Sequence, residues 1–253
     1  MNPVSPFAYA QARLQARLGA RPATAVWDRL HTLGDLSAWI EQARATPLGH
    51  WLASVSASSA PHEIERLLRA HFRRLIDDVA RWVPSPWRPA LHWTAIVPDL
   101  PALAYLLHGG AALDWMREEP ALRAVAEAVP ELRVRALAQG PWADLAAGRR
   151  DEGGLFAAWV EAWYRRLPDD RRQRASIEDL VAVLRAHRDA FARLTPAQTE
   201  SAQDTLARHL VQLFRRGFLA PATALAWLLL TALEFERVRG ELLTRALFAP
   251  EPV

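Results

Sequence analysis

The sequence predicts an all-α protein, and three features indicate this fold class. Apolar residues recur at steps of three and four over long stretches, which is the period of an amphipathic helix. Many of these stretches are bounded by residues that favour helix starts and by glycine or proline residues that favour helix ends. No segment alternates polar and apolar residues for long enough to predict a half-buried β-strand.

The first elements follow in order from these signals. Residues 7–18 predict a helix that closes at Gly19. A second helix begins near Val26, and Asp35 is placed to cap a third. The small residues of 54–60 then indicate a linker into a long helix.

The long helix begins at Pro61 and is the clearest element of the chain. Its apolar residues form one predicted buried stripe, which comprises Ile64, Leu67, Leu68, Phe72, Leu75, Ile76 and Val79. Charged residues take the opposite face, namely Arg66, Arg69, Arg73, Arg74, Asp77 and Asp78. A hinge marked by Pro84, Pro86 and Pro89 follows. The next helix is predicted to stop at Gly109 and Gly110.

Part of this helix recurs later in the chain. Residues 208–216 repeat the order of 66–74, with arginine at both ends and a matched leucine and phenylalanine between them. Flanking segments that begin at Asp35 and Asp179 extend the match. We interpret this pattern as a duplicated helical unit; the alternative is that helices rich in Ala, Leu and Arg resemble one another by composition alone.

The region between the two copies is broken by prolines and glycines. Its one clear helix is predicted over 155–167, with Trp159 and Trp163 on a common face. Ser176 with Asp179, and 195–198, then resemble helix starts. We therefore predict three segments: a first helical unit with the N-terminal helix at 1–110, a reduced middle segment at 111–174, and a second unit with the C-terminal helix at 175–253.

Composition narrows the classes of function. A chain of 253 residues with 51% hydrophobic residues can cover a substantial core. The absence of cysteine excludes disulfides, thiolate metal sites and cysteine nucleophiles. The net charge is only +3, and the pI near 10.1 arises because every basic side chain is arginine. Nucleic-acid binding is therefore not predicted.

The sequence predicts no catalytic, cofactor-binding or metal-binding residue. The chain has no glycine-rich phosphate loop, no nucleophile elbow and no His-Glu-x-x-His pattern. His71 and His209 are interpreted as partly buried helix residues, since metal-ligand spacing is missing. Several tryptophans on apolar helical faces are predicted to lie in the core, namely Trp39, Trp82, Trp159, Trp163 and Trp227.

The N-terminus lacks the basic start and apolar run of a secretory signal, so we expect a cytoplasmic protein. The most hydrophobic stretch, 218–233, contains Pro221 and reaches an acid at Glu234. It is shorter than the roughly 20 residues that span a bilayer. We predict a fully buried helix there.

Three ordered motifs support a family resemblance. Residues 7–17 contain Tyr-x-x-Ala-Arg-x-x-x-Arg, which ends at Arg17, residues 99–109 contain Asp-x-x-x-Leu-x-x-Leu-Leu-x-Gly, and Pro221 is followed by Ala-Trp-Leu, Glu234 and Arg239. Together with Thr46-Pro47-Leu48, these segments resemble the C-type (or d-type) rotor adaptor of V-type and A-type rotary ATPases over roughly 5–110 and 175–248. The chain departs from the family pattern at Ala102, His108 and Gly110, where the family has Asn, Arg and often Lys.

The resemblance implies the funnel-like fold of that family, with duplicated helical-bundle units and here a reduced middle unit. It implies a non-catalytic rotor adaptor that links the membrane rotor ring to the central stalk and supports proton or sodium ion transport. The partners would be ring and stalk proteins at the cytoplasmic face of the membrane, with no cofactor, nucleic acid or small-molecule substrate. The alternative is a diverged helical scaffold or protein-interaction module that has lost ring contact.

The same resemblance singles out residues as structural or partner-contact candidates. They are Tyr9, Arg13, Asp99, Leu103, Gly109, Pro221, Glu234 and Arg239.

Overall fold

The computed structural model describes residues 5–148, 154–191 and 198–248, together with residues 193 and 195. All regular elements in this part of the chain are helical, and it contains no β-strand. The prediction of an all-α protein is confirmed. The duplicated, funnel-like arrangement stays a prediction.

Helices follow one another along the whole described chain. The α-helices are α1 (Ala8–Gly19), α2 (Thr24–His31), α3 (Leu36–Arg44), α4 (Pro61–Trp82), α5 (Arg88–Trp93), α6 (Leu100–Leu107), α7 (Asp114–Glu118), α8 (Pro130–Gln139), α9 (Gly154–Arg165), α10 (Arg171–Phe191), α11 (Thr199–Arg216) and α12 (Pro221–Leu247). Short 3₁₀ helices occupy Pro47–Leu52, Ser85–Trp87, Thr94–Asp99, Arg123–Val125 and Ala143–Gly148.

The chain divides into two compact units. Unit 1 comprises Met1–Arg88 and Asp169–Val253, and unit 2 comprises Pro89–Pro168. Unit 1 therefore combines the N-terminal and C-terminal parts of the chain. The predicted boundaries at 110 and 174 follow a sequence repeat instead, and that repeat-based division stays a prediction.

Unit 1 is built on α12. Helices α1, α4, α10 and α11 all pack against it. Its first turns are buried at every position from Pro221 to Leu228, as predicted. The helix begins only at Pro221, however, and Phe218 is 66% exposed, so the predicted stretch 218–233 is not fully buried. On α4, most of the predicted apolar stripe is buried, with Leu67 and Leu75 partly exposed. Phe72 packs against Phe235 with ring centroids 5.7 Å apart.

The matched apolar residues of the predicted repeat are buried on both helices. Leu68 and Phe72 are buried on α4, and their counterparts Leu210 and Phe214 are buried on α11. Both helices pack on α12.

Several local predictions are wrong, among them one on α4 and one on α10. Arg69, predicted on the exposed face of α4, is only 4% exposed because its guanidinium pairs with Glu65 at 2.9 Å. Ser176 does not start a helix, since α10 begins at Arg171 and the Ser176 hydroxyl donates to the Gln173 carbonyl at 2.7 Å. A serine inside a helix satisfies its hydroxyl in this way, so the capping pattern is not unique to helix starts.

Unit 2 has a tryptophan core. The indole N–H of Trp93 donates to the Trp159 carbonyl, and the indole N–H of Trp159 donates to the Trp93 carbonyl, both at 3.1 Å. Trp163 donates to the Ala90 carbonyl at 3.1 Å. In unit 1, Trp39 and Trp227 are also buried as predicted, whereas Trp82 is only half-buried.

Helix α6 ends as predicted at Gly109, whose φ of 92° is readily adopted only by glycine. The Gly110 N–H donates to the Tyr105 carbonyl at 3.0 Å, which completes a Schellman motif. The buried Arg133 guanidinium donates to the carbonyls of Leu106 at 2.8 Å and Gly110 at 2.6 Å. These bonds satisfy carbonyls that the helix end leaves open.

One described stretch passes the length and composition test for a membrane span. It covers Ser85–Leu107 with a mean hydropathy of 1.2, and 50% of its window is buried inside the protein. The stretch consists of short helical segments, and buried core helices of soluble proteins pass the same test. It is weak evidence for a span.

We predict that Phe72→Ala lowers the free energy of unfolding by about 3–5 kcal/mol, because truncation leaves a cavity between α4 and α12. His62→Ala, at an exposed position of the same helix, should change it by less than about 0.5 kcal/mol. Urea denaturation of both variants measures the difference. Equal losses would contradict the assigned core.

Candidate functional site

The motif-matched residues fall in both units. Asp99, Leu103 and Gly109 belong to unit 2. Asp99 and Leu103 are buried at the start and middle of α6, and Gly109 ends that helix. This part of the resemblance therefore coincides with residues that shape the interior of unit 2.

Unit 1 holds the other matched residues, and those of the N-terminal motif lie on α1. Tyr9 is 57% exposed, and its hydroxyl accepts a hydrogen bond of 3.0 Å from Arg13 Nε. The Arg13 guanidinium lies 5.2 Å from the centre of a Trp82 ring, and that of Arg17 lies 4.4 Å from it. Arg17 also lies 5.5 Å from the ring of Trp227. These cation–π contacts join α1 to α4 and α12.

The matched arginine near the end of the chain joins α12 to α4. Arg239 contacts the Glu65 carboxylate through Nε at 2.8 Å and Nη2 at 2.6 Å. The same carboxylate pairs with Arg69 at 2.9 Å. One acid on α4 therefore holds two guanidiniums, one from each helix.

Glu234 is the matched acid of unit 1, and its side chain is only 6% exposed. Its Oε1 accepts a hydrogen bond of 2.8 Å from Trp51 Nε1 and lies 3.4 Å from His50 Nε2. Its Oε2 lies 3.4 Å from Arg21 Nε. Partners from the 3₁₀ helix Pro47–Leu52 and from the segment after α1 thus meet at one carboxylate of α12.

The surroundings of Glu234 favour its charged form. Burial alone would raise the pKa of the carboxyl, but hydrogen bonds from His50 and Trp51 and the charge of Arg21 outweigh it. The pKa of Glu234 therefore lies below its ordinary value, and the group is a carboxylate at neutral pH.

Two histidines extend this cluster. His50 Nδ1 lies 2.9 Å from His71 Nε2, so one ring donates and the other accepts. Burial, helped by His50, Arg74 and Arg17, lowers the pKa of His71 to about 4. His71 is therefore neutral at physiological pH. By contrast His209, expected to be partly buried, is exposed on α11.

A cavity of about 600 Å³ opens beside this cluster. Its wall includes residues from each motif-bearing segment of unit 1: Arg17 from the N-terminal motif, Pro47 from the Thr-Pro turn, and Trp227 and Glu234 from the C-terminal motif. Segments from opposite ends of the sequence therefore meet at a single place.

Sequence reasoning missed several members of this site. Arg21, His50, His71 and Asp78 line the cavity, yet none belongs to a recognisable motif. Their juxtaposition depends on contacts between helices far apart in the chain, so no local pattern signals it. Among the described residues, no group of three or more His, Asp or Glu side chains is arranged to hold a metal ion.

No known protein-family model, curated protein or solved structure matches this chain. The resemblance to rotary ATPase adaptors therefore rests on the ordered motifs.

We predict that Glu234→Gln lowers the free energy of unfolding by about 2–3 kcal/mol, since Arg21 and the Trp51 indole lose a charged partner. Glu236→Gln, two positions along the helix but exposed, should cost less than about 1 kcal/mol. Chemical denaturation at pH 7 compares the two variants. A smaller loss for Glu234→Gln than for Glu236→Gln would contradict the role of the buried carboxylate.

The pKa of His71 predicts a loss of stability in acid. Its folded pKa of about 4 lies below the ordinary value of 6.5. Between these values the unfolded chain binds a proton that the folded chain does not, so stability falls as the pH drops from 6.5 to 4. The loss from this group should be about 1–2 kcal/mol, less than the full shift implies, because solvent reaches part of the ring.

The measurement is the unfolding free energy of wild type and His71→Gln at pH values from 7 to about 4. The variant should lose less stability over this interval. His209→Gln is the matched control at an exposed histidine and should follow the wild type. Parallel curves for wild type and His71→Gln would refute the assignment.

Proposed function

We propose that this protein is a non-catalytic rotor adaptor of a V/A-type rotary ATPase, which links the membrane rotor ring to the central stalk and thereby supports proton or sodium ion transport. The observation that carries the proposal is the convergence of the N-terminal motif, the Thr-Pro turn and the C-terminal motif on one cavity of unit 1. The remaining motif, at 99–109, belongs to unit 2 and does not contribute to this cavity.

The helix packing of unit 1 is consistent with a mechanically rigid adaptor. An adaptor that transmits torque must resist deformation, and α12 runs for 27 residues with α1, α4, α10 and α11 packed on it. Charged groups tie this helix to its neighbours at several levels: Glu234 with Arg21, and Arg239 with Glu65. Both pairs are partly buried, and separating either would leave an acid that is largely shielded from solvent without its charged partner.

Docking would use exposed side chains. Among the matched residues of unit 1, Tyr9 exposes a large aromatic ring to solvent, and Arg13 donates a hydrogen bond to the Tyr9 hydroxyl. In this proposal the protein lies at the cytoplasmic face of the membrane and contacts ring and stalk proteins without hydrolysing ATP itself.

Affinity purification of the tagged chain from native membranes in a mild detergent tests the proposal. We expect membrane-ring and central-stalk proteins to co-purify, and a mock purification from untagged cells is the control. Recovery of the chain with neither set of proteins would contradict the adaptor role. A different stable partner would instead support the alternative, a helical scaffold that has lost ring contact.

A further inference from the structure

The cavity of unit 1 has the composition of a ligand site. Its volume of about 600 Å³ lies in the range of small-molecule pockets. Apolar surfaces of Pro22, Pro47 and Leu75 form part of its wall. Charged side chains contribute much of the rest: the wall holds two arginines, Arg17 and Arg21, beside the acids Asp78 and Glu234.

Neither guanidinium makes a short ion pair with an acid of the wall, although Arg21 Nη2 donates to the Leu230 carbonyl at 3.3 Å and Arg17 lies 4.4 Å from the Trp82 ring. Arg17 Nη2 lies 3.4 Å from Asp78, and Arg21 Nε lies 3.4 Å from Glu234. Charge-assisted hydrogen bonds are usually about 2.7–2.9 Å long. Arg17 Nη1 and Arg21 Nε are buried and have no hydrogen-bond acceptor among the described residues, and the same is true of Trp227 Nε1.

Acids in the wall do not supply the missing acceptors. Glu234 Oε1 is already held by Trp51 and His50. Asp78 is shared with Arg81 on the same helix. The wall therefore has more donor capacity than its own carboxylates satisfy, and unsatisfied buried donors favour a ligand that accepts hydrogen bonds.

We propose that this cavity binds a small monocarboxylate with an apolar body. The carboxylate engages the Arg17 and Arg21 guanidiniums, and the apolar body lies against Leu75 and the two prolines. A monoanion suits the site better than a phosphate dianion, because the negative charges of Asp78 and Glu234 lie in the same wall. This proposal goes beyond the adaptor role and does not depend on it.

Isothermal titration of the full chain with decanoate, below its micellar concentration, tests the chemical class. We expect saturable binding of one decanoate per chain, with decanamide at least roughly tenfold weaker and decylamine weaker still, because only the carboxylate makes charge-assisted bonds to both arginines. Absence of decanoate binding, or equal affinity for the amide, would overturn the proposal.

Three variants locate the ligand. Ala20→Trp places a large side chain at an exposed position of the cavity wall and should abolish binding. Ala16→Trp is the matched control, since Ala16 is exposed on α1 outside the wall, and should bind like the wild type. Arg17→Gln should weaken binding by roughly ten- to a hundredfold.

Thermal unfolding of each variant verifies that it is folded before titration. Equal binding by Ala20→Trp and Ala16→Trp would show that decanoate binds elsewhere and would overturn the proposal. This result is independent of the co-purification experiment, so the two hypotheses fail separately.

Discussion

Helix α12 imposes the main constraint on unit 1, because its first two turns are almost wholly apolar and are buried around their whole circumference. A helix with one apolar face needs one neighbour, whereas a helix that is apolar all round must be covered on every side. Helices α1, α4, α10 and α11 provide this cover. The beginning and the end of the chain therefore have to fold together, and the compact unit combines both parts.

Buried charged groups occur on α12 after its apolar first turns. Glu234 meets Trp51, His50 and Arg21, and Arg245 donates to the Leu33 carbonyl at 2.6 Å beyond the end of α2. Such buried charges contribute little net stability compared with apolar packing, but they tolerate few alternative arrangements. Here they connect α12 to the 3₁₀ helix Pro47–Leu52 and to the segments after α1 and α2. A fixed register and a rigid core are the properties that a torque-transmitting adaptor requires.

The histidine pair beside Glu234 links the stability of unit 1 to pH. His71 is buried enough to lose most of its basicity, whereas Glu234 stays ionised because donors surround it. The ionised Glu234 stabilises the folded protein near neutral pH and loses this contribution in acid, whereas the poorly basic His71 destabilises the folded protein as the pH falls below 6.5. The cavity that they border is also lined by side chains from the N-terminal motif, the Thr-Pro turn and the C-terminal motif.

Sequence alone determined the features that depend on a few neighbouring residues. The Asp35 cap, whose Oδ2 accepts from the Ala38 N–H at 2.7 Å, and the Gly109 stop are settled by local backbone geometry. The buried stripe of α4 follows from its helical period. Only the tertiary structure decided that Arg69 is buried and that Glu234 gathers Arg21, His50 and Trp51. Burial of a charge depends on partners distant in sequence, and helical periodicity contains no information about which partners will meet.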